Sequence, residues 1–285
     1  MVHGKKHSGF VLLMVLVVLV IAGTILAASA RRTGLMAIEA GNQEEELQVR
    51  WGSVSCKDFC LPRADDILGD KDASDKSPAV LVAKSIKIGR VNFQLIVCDE
   101  QAKANVNTLA RRRGPEGMAA AVRALQANAQ GALNLELRPA PTSNPIERRY
   151  SSFDQLFRFD HPSQLVLPKT PERSTISRLT CWGSGLVNFK KASPSVLHEV
   201  AEGILTETQL AELVKYRDRS PDCTLGEAIK ELKFSTDQAQ RVRETLTDVS
   251  TCHSVWVIAQ GQTRQWYRLY GQSGFGESGR WVLAW

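Results

Sequence analysis

Long apolar runs are scarce in this chain. There is one, residues 10–30, and nothing else is long and apolar enough to cross a bilayer. Everything after it reads as a body carried by a single N-terminal helix. Histidine is scarce too. His3, His7, His161, His198 and His253 have no evident Ser, Cys or Asp partner set, and no constellation supports catalysis. Completed metal sites are missing. Cys56-Lys-Asp-Phe-Cys60 is a C-x₃-C without a second CxxC or HxxxH. Asp70-Lys-Asp72-Ala-Ser-Asp75 starts like a calcium loop, but Asp75 stands where the sixth-position Gly belongs and Leu81 where the twelfth-position Glu belongs. It reads as a solvated acidic turn. A strong charge of either sign is also lacking. The formal charge is +6, falling to +4 if Lys5 and Lys6 are removed, and this mildly basic balance does not demand nucleic acid.

What is present is FVLLMVLVVLVIAGTILAASA, uncharged from Phe10 to Ala30 and bracketed by Lys5-Lys6 and Arg31-Arg32. As a helix it spans about 30 Å, the thickness of a bilayer's hydrocarbon core. Three readings fit. A cleaved secretory signal has an apolar core of about 7–15 residues before a small-residue site such as Ala27-Ala28-Ser29-Ala30. A plain signal anchor keeps the whole run. A prepilin leader is a short basic peptide ending in Gly directly before Phe, and here the apolar run begins at Gly9-Phe10. The flanking Lys and Arg counts tie, so the positive-inside rule does not set the topology firmly. The cysteines, Cys56, Cys60, Cys98, Cys181, Cys223 and Cys252, are even in number, which in an exported body suggests disulfides.

Beyond Arg32, Leu35, Ile38, Leu47, Val49 and Trp51 recur near helical spacing with Glu44-Glu45-Glu46 on the polar side. The anchor helix is expected to continue to about Ser53, with its inner face on the body. Residues 56–78 read as a loop. Residues 81–98 read as a β-hairpin turning at Gly89-Arg90. Arg111-Arg112-Arg113 precede an expected helix over 115–130 and read as its solvated start. Residues 131–180 resist assignment beyond one or two helical turns at 151–157. Four short helices follow, over 194–202, 206–217, 224–232 and 236–246, with Ser193 as N-cap, Pro194 as first helical residue and Gly203 as a stop. They form a compact unit of SAM-like or helix-hairpin-helix type. From Ser254 the period switches to two, and three antiparallel strands are expected, over 254–259, 264–270 and 280–285.

Four motifs stand out. They are Gly9-Phe10 with its apolar helix; Asp99-Glu-Gln-Ala-Lys-Ala-Asn105-Val-Asn107-Thr-Leu109 after the hairpin; Val187-Asn188-Phe-Lys-Lys-Ala192-Ser193-Pro-Ser-Val-Leu197; and residues 210–217, closing on Tyr216-Arg217. In this order and length they resemble general secretion pathway protein K, the large minor pseudopilin of type II secretion systems. Lys190 stands where that family's second Asn is expected, and Ala102 where Gly is usual. The resemblance implies an α+β fold: a pilin-like long N-terminal transmembrane helix packed on a small antiparallel sheet, with a large, mostly helical (SAM-like) insert. It implies a leader over 1–9, a transmembrane helix over 10–32, the helix continuation and hairpin over 33–104, the insert over 105–248 and C-terminal strands over 249–285.

It further implies processing by prepilin peptidase between Gly9 and Phe10, methylation of Phe10, and a single pass through a bacterial inner membrane with the body in the periplasm. Met14 is the fifth residue from Phe10. Most pilins carry Glu there, which pairs with the neighbouring subunit's amino terminus. A carboxylate in hydrocarbon is costly unless paired, and a subunit at the filament tip has no neighbour above it. Met14, Val17 and Val20 are therefore the expected assembly residues, and other minor pseudopilins the expected partners. No catalytic residue, metal or cofactor is expected, although calcium in the insert stays open. If the body is exported, Cys223 and Cys252 are the first pair to consider, since they flank the last helices and the following strand.

The competing reading is a membrane-anchored DNA-binding module of the competence type, whose helix-hairpin-helix shares the V-N-x-N-T-A-S opening. There the phosphate contact is a Gly-x-Gly turn presenting backbone N–H groups. Here the turn is Glu202-Gly203-Ile204-Leu205-Thr206, with one Gly and an acid beside it, so nucleic acid is not expected.

Overall fold

In the computed structural model the residues described are 8–69, 80–127, 135–138, 150–167, 169–261, 264–274 and 280–284. Residues 1–7 of the expected leader, the expected acidic turn at 70–75 and part of the unassigned stretch lie outside them. The chain divides into two units, Met1–Arg50 and Trp51–Trp285.

The first unit is helical. The helix Ser8–Cys60 begins in it and passes Gly23, Gly34 and Gly41 without a break. Its most apolar window has a mean hydropathy of 3.1. The large apolar side chains from Phe10 to Leu26 are all exposed, on every side of the helix. A helix apolar all round suits hydrocarbon rather than water. Of the expected inward set, Leu35, Ile38, Leu47 and Trp51 are exposed as well, whereas Val49 is buried. Helical spacing reports which residues share a face, not what covers it.

In the second unit the helix runs to Cys60, past the expected end near Ser53. A 3₁₀ turn, Leu61–Arg63, and a short helix, Ala64–Gly69, follow where a loop was expected. Pro62 sits at the start of the turn, where its missing N–H costs nothing. Leu61, Ala64 and Leu68 are buried and hold both pieces down. Gly52 lets the helix lie close on the sheet: a Cβ there would stand 2.3 Å from Cζ of Phe93.

Among the described residues the sheet has five antiparallel strands in the order Leu81–Ile88, Val91–Asp99, Cys252–Gln260, Gln265–Ser273, Arg280–Ala284. The hairpin forms as expected, and Gly89 at φ +60° supplies the positive φ of its two-residue turn. The strand Cys252–Gln260 is central and buried along all but its last residue.

The insert leaves the sheet at Asp99 and returns at Cys252. Asp99 lies opposite His253, so its two ends are neighbours on adjacent strands. Its first helix, Val106–Ala127, starts earlier than expected and is broken at Gly114, φ +71°, with Pro115 opening the second half. Phe153–Leu156 forms a single turn. The four short helices appear as Pro194–Ala201, Glu207–Arg219, Leu225–Glu231 and Thr236–Arg243. Ser193 caps the first, and Thr206/Gln209, Thr224/Glu227 and Ser235/Gln238 form capping boxes on the others. A two-residue parallel pairing of Val187–Asn188 with Leu246–Thr247 closes this helical unit. One continuous core joins sheet and insert, from Ile96, Trp256 and Leu269 through Phe153 and Phe189 to Leu197 and Leu213.

Candidate functional site

Two regions carry the motifs: the apolar helix and the joint between sheet and insert. On the helix, Phe10, Met14, Val17 and Val20 are all exposed, and Gly9 lies within the helical span. The structure places no acid among residues 10–30, so the helix offers no charge for a neighbour to neutralise.

The joint is built on the Asp99–Leu109 motif. Asp99 is fully buried at the end of its strand. Its Oδ1 accepts the Gln101 N–H at 2.9 Å. Its Oδ2 accepts the Ser250 hydroxyl at 2.6 Å and lies 3.2 Å from Lys191 Nζ. Asp65, on the helix Ala64–Gly69, approaches the same ammonium at 3.7 Å and His253 Nε2 at 3.2 Å. Next along, Glu100 and Lys103 form an ion pair at 2.6 Å with both side chains 1% exposed. The Ser254 hydroxyl donates to the same Glu100 oxygen. Burial works to lower the Lys103 pKa, but Cys98, Glu100 and Asp99 around it prevail, and the net direction is upward.

Asn105 caps the following helix: its Oδ1 accepts the N–H groups of Asn107 and Thr108 at 2.9 and 3.1 Å, while its amide donates to Trp182 O at 2.7 Å. Asn107 donates to Tyr150 O and Cys181 O and accepts from Tyr150 N–H. The two asparagines thus tie three segments together, and their hydrogen-bonding groups are spent on the protein itself. A cleft of about 550 Å³ opens beside them, with Arg111, Tyr150, Trp182 and Trp281 among its walls. Trp182 and Trp281 stack there, ring centroids 4.2 Å apart.

The third and fourth motifs meet at Arg217. This buried guanidinium donates to Phe189 O at 3.1 Å and Ala192 O at 2.7 Å, so the helix Glu207–Arg219 locks the turn that opens the helix Pro194–Ala201. Asn188 accepts the Lys190 N–H through Oδ1 and donates to Ser250 Oγ. Lys190, in place of the expected Asn, reaches Asp222 O at 3.5 Å.

Two expectations need correction. The arginine triplet is more than a solvated helix start: Arg111 and Arg112 are exposed, but Arg112 and Arg113 also bind neighbouring elements. Arg112 donates to Val200 O and Thr245 Oγ1, and Arg113 pairs with Glu199 at 3.3 Å and with Glu202. These bonds fasten the kinked helix to the Gly203 turn and place guanidinium and carboxylate together there. The expected bridge between Cys223 and Cys252 is not formed; all six cysteines are free and buried. Cys223 sits among Lys190, Glu227 and Asp248, whereas Cys252 sits by Glu100, Ser273, Lys103 and Asp99. Burial pushes Cys56 and Cys98 up to about 11 and Cys252 up to about 12. Such thiols are protonated and unreactive at neutral pH. Among the described residues no three His, Cys, Asp or Glu side chains gather where they could hold a metal ion.

Glu100, Lys103, Lys191 and Ser254 were missed as partners in the sequence. Charged residues directly after an apolar strand, as in Ile96-Val97-Cys98-Asp99-Glu100, were the one available signal of a buried polar joint.

A long apolar helix, an antiparallel sheet and a helical insert between adjacent strands define an α+β fold of the pilin-like class. The fold is similar to that of a chain in the GspK-GspI-GspJ complex from the enterotoxigenic Escherichia coli type 2 secretion system, with a TM-score of 0.52 and 12% identity over 86% of this chain and 97% of that one. No family model and no curated protein matches the chain.

Proposed function

We propose that this chain is a minor pseudopilin of a type II secretion system that caps the pseudopilus at its tip and starts its assembly. The observation that carries the reading is the coupling of one fully apolar helix to a pilin-like body whose sheet is interrupted by a large helical insert. The fold is shared with a chain from a complex of secretion-system proteins. The insert, bounded by Asp99 and Cys252, adds bulk that a shaft packed by N-terminal helices would not accommodate. Met14 removes the carboxylate that a shaft subunit needs and a tip subunit could not satisfy.

In this reading prepilin peptidase cleaves between Gly9 and Phe10, and Phe10 is methylated. The helix over 10–32 anchors the protein in the inner membrane, with the body in the periplasm. Other minor pseudopilins are its partners through residues 10–30, with Met14, Val17 and Val20 in the contact, and through the exposed stripe of Leu35, Ile38, Leu47 and Trp51. The role is structural, without catalysis or cofactor. Sequencing the amino terminus of the membrane-bound protein tests it. N-methylated Phe10 is expected; a start at Met1 or near Arg31 would exclude it.

A further inference from the structure

The sheet ends on the strand Leu81–Ile88, and the phase of its ladder decides where its backbone groups point. Its pairs with Val91–Asp99 run from Leu81 opposite Cys98 to Ile88 opposite Val91. The Asp99 N–H donates to Val80 O at 2.9 Å in the same register. In an antiparallel ladder hydrogen-bonded and non-bonded pairs alternate. Val82, Lys84, Ile86 and Ile88 therefore turn their N–H and C=O inward, and Leu81, Ala83, Ser85 and Lys87 turn theirs outward.

The helix Ala64–Gly69 and the turn Pro171–Arg173 approach this strand. Leu81 and Val82 are half-buried, but residues 83–87 are exposed in succession, so both faces are open there. Ile86 is 48% exposed. Among the described residues no backbone group bonds to the outward groups of Ala83, Ser85 or Lys87. An unpaired edge of this kind is a template for another strand.

Charge selects the occupant. Lys84 and Lys87 lie on opposite faces of the strand, which contains no acid, and Arg90 follows in the turn. A second copy would set lysine near lysine across the new ladder, and like charges facing one another destabilise a sheet. A strand with acids three positions apart meets both ammonium groups and leaves an apolar residue opposite Ile86. We infer that the edge Leu81–Ile88 is a docking site for an extended acidic segment of a partner protein, which adds to the sheet as a further strand. Main-chain bonds to Ala83, Ser85 and Lys87 hold the segment, and the lysines choose its charge.

This inference stands apart from the secretion reading, and its test uses the full chain in detergent micelles. The probe is the capped synthetic peptide Thr-Val-Glu-Val-Thr-Glu-Val-Thr, and the control replaces each Glu with Lys. Hydrogen-exchange mass spectrometry over Leu81–Ile88 is the readout. The acidic peptide should slow the fast-exchanging amides of the segment about tenfold, and the Lys peptide should leave them unchanged. Ser85→Pro should abolish the slowing while Val91–Asp99 stays protected, because the Ser85 N–H faces outward and proline is tolerated there. Lys84→Glu with Lys87→Glu should reverse the preference. The inference is overturned by no slowing with the acidic peptide, by equal slowing with both peptides, or by slowing that survives Ser85→Pro.

Discussion

Gly271 and Trp281 face one another across the last two strands, and the indole lies over the glycine: a Cβ at Gly271 would stand 1.9 Å from Trp281 Cζ2. The same indole stacks on Trp182, which meets Phe153 edge-on with centroids 5.1 Å apart. Sheet and insert are thus joined by a file of aromatic rings that begins at a missing side chain. Gly271→Val should displace the indole and lower stability by about 1–3 kcal/mol. Denaturant unfolding in micelles measures the loss, and a shift in tryptophan emission before the transition reports the unstacking.

The Glu100–Lys103 pair makes a sharper case. Among the described residues Glu100 Oε2 has no hydrogen-bond partner, so the carboxylate depends on contacts at its other oxygen. Lys103→Met leaves that charge buried and uncompensated, and should cost about 3–5 kcal/mol. Combining Lys103→Met with Glu100→Gln should recover most of the loss. A double-mutant cycle that proved additive would contradict coupling between the two.

Alkaline pH should destabilise the body through its thiols. Burial raises Cys98 and Cys56 from 9.0 to about 11 and Cys252 to about 12. Between pH 9 and those values the folded chain keeps protons that the unfolded chain releases. Stability from these groups is therefore complete below pH 9 and falls as pH rises through the folded values. Lys103, raised above 10.5, acts with the same sign at higher pH. Unfolding midpoints should be flat, as far as these groups decide, from pH 7 to 9 and drop above 9. Iodoacetamide at pH 8 should label the native thiols slowly and all six after denaturation.

The tip assignment is tested in the anchor. On the tip reading, Met14→Glu would put a carboxylate in hydrocarbon without an ammonium above it, and should impair initiation of the filament. If the variant instead entered the shaft at high copy number, the tip assignment would be wrong. Val17→Asp with Val20→Asp should abolish assembly outright, since each acid costs on the order of 2.5–3.5 kcal/mol at the centre of a spanning helix. Filament yield and membrane retention separate the two effects.

Much of the architecture is legible in the sequence because its signals are local. The uncharged run from Phe10, the Gly89-Arg90 turn, the cap at Ser193, and the period-two alternation after Ser254 each act over a few residues. Two local signals misled. Gly114-Pro115 does start a helix, but it hides the turns over 106–113, which exist because Asn105 caps them using bonds within the insert joint. Pro62 suggested a loop, where buried Leu61 and Leu68 hold helical turns. Only the tertiary structure decided the rest. It placed Cys252–Gln260 between the hairpin and the last strands, kept Cys223 and Cys252 as separate thiols, and gathered Lys191, Ser250 and Asp65 around or beside Asp99. The bond from Ser250 to Asp99 spans 151 positions. No periodicity reports such a contact, because buried charges choose partners by three-dimensional proximity in a medium where leaving them unpaired costs more than any local preference can return.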